Sequence, residues 1–170
     1  MNAVSSLNPW GEPIILPTER PGLTLEQIVS DDAPYFFDSW RYSVADIARF
    51  DPNAGSNFDS IEEVEALPYQ PGSLTMGAWD NGRFVGSGTL STDKEVGVWT
   101  LGYWTDSREI NKGYGSIIAQ TLVSYAADRI PVIRATAMEE NIPSVRILEK
   151  SGLERTGRKV GDLLVFELIT

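Results

Sequence analysis

Residues 101–115, Leu-Gly-Tyr-Trp-Thr-Asp-Ser-Arg-Glu-Ile-Asn-Lys-Gly-Tyr-Gly, carry an apolar strand-like segment through a short polar loop into a helix start marked by two glycines. A chain with that junction in its middle has to set a strand and a helix side by side, which points to a mixed α and β fold. Gly113 and Gly115 lack a Cβ, so another molecule can come close to the backbone, and the first N–H groups of the following helix have no intrahelical partner. Several such donors, backed by the positive end of the helix dipole, suit a pyrophosphate.

The common phosphate loops do not fit. A Walker loop requires Gly-Lys-Ser/Thr after four spacer residues, and no such run is present. A dinucleotide fingerprint needs a third glycine three positions beyond Gly115, where Ile118 stands, and it belongs to an early βαβ unit rather than to mid-chain.

Ile110-Asn111-Lys112-Gly113-Tyr114-Gly115 resembles the Arg/Gln-x-x-Gly-x-Gly/Ala signature of the GNAT superfamily of acyl-CoA-dependent N-acyltransferases, with Ile110 replacing the leading polar residue. Further on, residues 141–153, Asn-Ile-Pro-Ser-Val-Arg-Ile-Leu-Glu-Lys-Ser-Gly-Leu, resemble the Asn-x-x-Ser-x-x-x-Leu-Glu-Lys-x-Gly-Phe segment of the Rim-like branch. That branch includes acetyltransferases of ribosomal-protein amino termini. The two motifs in this order are far more specific than either alone, and the resemblance covers roughly residues 20–170.

Composition narrows the chemistry. The 170 residues contain neither cysteine nor histidine, which excludes a disulfide scaffold, a thiolate nucleophile, a Ser-His-Asp triad and the common zinc sites. An acyl-cysteine intermediate is excluded with them, so transfer in an acyltransferase would go directly from thioester to acceptor. The net charge of −10 argues against nucleic acid as a partner and fits a cationic acceptor, although solubility alone also accounts for it. With no apolar run long enough to span a bilayer and no basic, apolar leader at the start, a soluble cytoplasmic protein is expected, with no membrane partner.

Hydrophobic periodicity and turn signals predict one domain over residues 23–170 behind an extended lead-in, 1–22, that carries Pro9, Pro13, Pro17 and Pro21. A first strand spans 23–29. Asp31 or Asp32 caps a helix over 33–50, with Phe36, Trp40, Val44 and Ile47 at helical spacing. Ser60-Ile61-Glu62-Glu63 has the form of a capping box and opens a short helix that Pro68 ends. Strands over 73–79 and 83–92 flank Asp80-Asn81-Gly82 as a hairpin, and another strand follows over 96–104. The main helix covers 112–129 and Pro131 ends it. A strand over 132–138 precedes a helix from about Pro143 to Lys150 that closes at Gly152, and 153–158 with 163–169 form a terminal hairpin. The fold expected is α+β. The resemblance implies a twisted, mostly antiparallel sheet of about seven strands flanked by helices and splayed between the fourth and fifth.

In that fold pantetheine enters the splay. The resemblance assigns it to the backbone of Tyr103, Trp104 and Thr105, and the pyrophosphate to Ile110, Asn111, Lys112, Gly113, Tyr114, Gly115 and Ser116. Lys112 is equally a solvated loop lysine. Asn141 either directs its carboxamide at the thioester region or caps the helix behind it. Many relatives place a tyrosine seven residues after this asparagine to protonate the departing thiolate. Leu148 stands there, so that role is empty; the resemblance to the Rim-like branch instead implies Ser144 as the catalytic donor to the thiolate, the alternative being a hydroxyl that serves only its own backbone.

No base is assigned. Thr100 occupies the position where the branch often has a glutamate, and Glu139, Glu140 and Asp106 are candidates. An α-amine is roughly a tenth neutral at pH 7 and needs only a water relay, whereas a lysine-like amine is neutral in less than about one molecule in a thousand. Tyr35, Phe36, Phe37, Trp40 and Tyr42 either line an acceptor pocket or pack the core. Asp38, Asp46, Asp51 and Asp59 either meet a cation or solvate the surface.

The function expected is therefore acetyl-CoA-dependent N-acetylation of a primary amine, either a small amine or a peptide N-terminus. No metal is expected, and homodimers are common in such families. Two alternatives stay open: a non-catalytic acyl-CoA-binding module, and a scaffold whose glycine loop is only a turn.

Overall fold

The computed structural model describes residues 12–52 and 58–170, so Pro9 and the rest of 1–11 lie outside the described part, as do 53–57. Its elements run β1 (Ile15–Pro17), β2 (Leu23–Gln27), α1 (Ala33–Ile47), α2 (Ile61–Glu65), β3 (Ser73–Asp80), β4 (Arg83–Thr92), β5 (Val98–Thr105), α3 (Tyr114–Ala127), β6 (Val132–Met138), α4 (Ile142–Lys150), β7 (Glu154–Val160) and β8 (Leu163–Ile169).

All eight strands join one sheet in the order β1-β2-β3-β4-β5-β6-β8-β7, antiparallel throughout except at β5–β6. The fold is the α+β arrangement expected. The eighth strand comes from the lead-in, where Leu16 pairs with Leu25 and packs against the core although prolines surround it. Pro17 ends this edge strand, where its missing N–H costs the ladder little.

Turn chemistry explains the hairpin. Asn81 and Gly82 both take positive φ, 49° and 79°, between paired Asp80 and Arg83, the two-residue geometry whose twist matches the flanking strands. Glu63 reaches back to the N–H groups of Asp59 (2.6 Å) and Ser60 (3.3 Å) to start α2. Pro68 sits inside a following 3₁₀ turn, Leu67–Tyr69, rather than ending the helix outright. Asp32 does not cap α1 through its side chain; its carboxylate accepts the Val29 N–H at 2.9 Å and closes a 3₁₀ turn ahead of the helix.

The sheet separates two apolar layers. On one face α3 and α4 bury Ile118, Leu122, Val145 and Leu148 against Leu90, Leu101, Ile133 and Phe166. On the other, α1 and α2 bury Phe36, Trp40 and Val64 with Phe84, and Trp104 packs on them. Strand alternation sends neighbours to opposite layers, Tyr103 to the first and Trp104 to the second. No helix among the described residues is long and apolar enough to cross a membrane.

Candidate functional site

The parallel pairing of β5 with β6 stops after three positions, Val98 with Val132, Trp99 with Ile133 and Thr100 with Arg134. Beyond them β5 continues to pair with β4, and β6 with β8, but the facing edges, 101–105 and 135–138, diverge. Backbone donors and acceptors along those edges are left for another strand-like partner. The cleft that opens between them holds about 570 Å³, within the range of small-molecule sites.

Its walls come from both faces. Gly115 of α3, Asn141 at the cap of α4, and Pro143, Ser144 and Ile147 within α4 line one side, together with Ile110. Asp46 and Ile47 of α1, with Phe50 and Asp51 just beyond, line the other, and Tyr103, Trp104 and Thr105 lie along the strand between. The aromatics that the sequence offers for an acceptor wall are elsewhere: Phe36 and Trp40 are buried in the α1 layer, and Tyr35 and Tyr42 are exposed outside the cleft.

At the helix end the loop tightens through positive φ at Asn111 (63°) and Gly113 (84°), so α3 begins at Tyr114, two residues later than the apolar pattern suggests. A Cβ placed on Gly113 meets nothing within 4 Å, and the first main-chain bond of the helix is Ile117 N–H to Gly113 O at 3.2 Å. The amides before it form an open cradle. Lys112 does not reach over that cradle; its Nζ lies 2.6 Å from Glu109 Oε2, and Arg83 holds the other carboxylate oxygen at 3.0 Å. Tyr114 turns inward, buried, and donates its hydroxyl to Asp80 while Arg20 stacks on its ring at 4.6 Å. Ser116 Oγ accepts from Gln120 Nε2 at 3.1 Å.

Asn141 does cap α4, its Oδ1 accepting the Ser144 N–H at 3.3 Å, while the residue also lines the cleft. Ser144 makes a contact that neither sequence alternative describes: its Oγ lies 2.9 Å from the Tyr103 hydroxyl. Burial, only partly offset by that hydrogen bond, pushes the Tyr103 phenol up to about 12. Thr100 Oγ1 is shared with Ser91 Oγ at 2.9 Å, and Leu148 is buried in the α3–α4 core.

Asp106 is unsuited to act as a base. It is buried, and Arg108 grips both oxygens, Nε to Oδ1 at 2.9 Å and Nη2 to Oδ2 at 2.6 Å. Burial pushes its carboxyl upward, but hydrogen bonds from Arg108 and Ser39 and the Arg108 charge outweigh this and hold it below the ordinary range. Glu139 and Glu140 are exposed and outside the cleft, the former 3.8 Å from Lys159. Among the described residues the carboxylates that do line the cleft are Asp46 and Asp51. Helical spacing alone could not aim them there. Among the described residues no group of three or more acidic side chains is arranged to hold a metal ion.

A splayed sheet with a glycine-started helix at its opening defines a class. Residues 22–154 match the family model described as acetyltransferase (GNAT) domain, and the chain belongs to that acetyltransferase family. An uncharacterized N-acetyltransferase of Bacillus subtilis, YnaD, is 36% identical over 62 residues, a match spanning 35% of this chain and only 36% of that protein. The fold is similar to that of a ribosomal-protein-S5-alanine acetyltransferase from Vibrio fischeri, with a TM-score of 0.76 at 16% identity over 92% of this chain and 96% of the other. It is equally similar to a ribosomal L7/L12 alpha-N-protein acetyltransferase solved with coenzyme A, with a TM-score of 0.75 at 16% identity over 92% and 98% of the two chains.

Proposed function

We propose that the chain transfers an acetyl group from acetyl-CoA to a primary amine in one direct step. The observation that carries this reading is the cleft itself: unpaired strand edges for an amide-bearing arm, running toward the open amide cradle before Ile117. Residues 103–105 would pair with pantetheine, and the loop amides from Ile110 to Ser116 would bind pyrophosphate, with Gly113 leaving room for its approach. The bound thioester supplies an activated acetyl group. The amine nitrogen forms a bond to the carbonyl carbon, the carbon–sulfur bond breaks, and sulfur leaves with the electron pair. Ser144 stabilises that thiolate from the α4 side, and the amine proton passes to water.

Asp46 and Asp51, on the wall opposite Ser144, favour a cationic amine, as does the overall acidity. Fold similarity to an enzyme named as a ribosomal L7/L12 alpha-N-protein acetyltransferase leans the reading toward a peptide α-amine. A terminal α-amine also reacts without a dedicated base, which suits a cleft whose Ser144 side carries no carboxylate among the described residues.

Calorimetric titration with acetyl-CoA tests the reading, alongside Gly113→Trp, whose side chain would fill the cradle. Micromolar binding by the parent and none by a folded variant supports it; no binding by the parent refutes it. The second reading, an acyl-CoA-binding module without turnover, draws on buried Leu148 in place of a tyrosine. Binding without thiol release over a panel of peptides and polyamines would favour that alternative.

A further inference from the structure

The tyrosine that relatives carry on α4 has no counterpart there, yet a phenol reaches the same cleft from another element. Tyr103, on β5, lies with its hydroxyl 2.9 Å from Ser144 Oγ and 3.4 Å from Ser144 O. Its ring is wedged in the α3–α4 layer, with Cε2 3.9 Å from the position a Cβ on Gly115 would take. The phenol is therefore held against the first turn of α4, with the start of α3 beside its ring.

We infer that Tyr103 is a positioning residue for the transfer reaction, donating its hydroxyl hydrogen to Ser144 Oγ and so leaving the Ser144 hydrogen aimed into the cleft. A serine in a first helical turn otherwise bonds to its own backbone. With one lone pair engaged by the phenol, the Ser144 hydroxyl becomes a directed donor, and two hydroxyls in series polarise one another. The inference rests on the acetyl-transfer reading of this cleft.

When the carbon–sulfur bond breaks, the electron pair stays on sulfur, Ser144 donates a hydrogen bond to it, and the amine proton goes to water. Neither hydroxyl is ionised. A thiol titrating near about 8.5 leaves a thiolate too weakly basic to strip a phenol whose burial raises it to about 12. Tyr103 thus keeps its hydrogen throughout the pH range in which an amine acceptor is reactive.

A double-mutant cycle tests this. Thiol release from acetyl-CoA is measured with an alanyl peptide bearing a free amino terminus and with spermidine, for the parent, Tyr103→Phe, Ser144→Ala and the double variant. Acetyl-CoA affinity and melting temperature are measured on each protein. The expected losses in kcat are on the order of 100-fold for Ser144→Ala and about 10-fold for Tyr103→Phe, with acetyl-CoA affinity, KM and melting unchanged. The double variant should match Ser144→Ala alone, because the phenol acts only through the serine. A Tyr103→Phe loss that recurs in full beside Ser144→Ala, an unchanged kcat, or weakened acetyl-CoA binding would overturn the inference. A parent that releases no thiol overturns the transfer reading as well, so the two failures are told apart by the parent protein.

Discussion

Ser39 Oγ donates to Asp106 Oδ2 at 2.5 Å, and both residues are buried, so the middle of α1 is bonded directly to the loop between β5 and α3. Ser43 adds a second tie one turn along, its Oγ accepting the Ser107 N–H at 2.9 Å. The helix that contributes Asp46 to one wall of the cleft therefore also fixes the start of the loop that contributes Ile110 to the other.

Asp106→Asn should destabilise the protein by about 1–3 kcal/mol, since it removes the buried carboxylate that accepts from Ser39 and Arg108, while the part-exposed Arg108 guanidinium keeps Asp38 as a partner at 3.0 Å. Urea unfolding followed by fluorescence measures this. A loss below about 1 kcal/mol would mean the ion pair is balanced by its own desolvation.

Acid should expose the same feature. The carboxyls of Asp80, Asp93 and Asp106 are held below their ordinary value of 3.8. The principal causes of that lowering are the Tyr114 hydroxyl at Asp80, the Glu95 N–H at Asp93, and Arg108 at Asp106, where it overcomes burial. A depressed folded value means that the unfolded chain takes up protons first on acidification. The contribution of these groups is fully present above the ordinary carboxylate range and is lost as pH falls through their lower folded values. Melting temperature should hold down to about pH 5 and fall below pH 4, and Asp106→Asn should flatten that fall.

Gly86 lies in β4 opposite Thr105, where a Cβ would stand 2.5 Å from Trp104 O and 3.0 Å from Thr105 Cα. Both are main-chain atoms, so the end of β5 would have to move. Gly86→Ala should cost about 1–3 kcal/mol and weaken acetyl-CoA binding, because residues 103–105 line the cleft. Calorimetry beside thermal melting separates the two effects; unchanged binding in a destabilised variant would show that β5 returns to its place.

Ile110 is 57% exposed at the cleft edge, where the resembling motif carries arginine or glutamine. Ile110→Arg should tighten acetyl-CoA binding several-fold at low salt, with the gain shrinking as salt screens the phosphate contact. A gain that is the same at low and high salt would point to something other than charge.

Local rules account for what was legible in the chain. Asn81-Gly82 specifies its turn because few other residues accept two successive positive φ angles, and Gly113, with a φ of 84°, marks the helix start for the same kind of reason. Helix α3 starts two residues after the expected 112 because Gly113 takes a left-handed φ that no apolar periodicity signals. Edge strand β1 was illegible because its partner lies across a turn and its prolines argue against pairing. Tyr103 with Ser144, and Ser39 with Asp106, are contacts between residues 41 and 67 positions apart, decided by how layers stack rather than by any periodicity. The same holds for Asp46 and Asp51, whose spacing reads as a solvated surface until the cleft is seen beside them.

The short β5–β6 ladder has a mechanical consequence. β1 to β5 and β6 to β8 form two stiff plates joined at one corner by three residue pairs. A molecule that threads the gap and bonds to both free edges becomes the missing length of the seam, so occupancy and rigidity rise together. Amide exchange along 101–105 and 135–138 would then serve as a strain gauge for occupancy, slowing on both plates at once even though the chain links them only through α3.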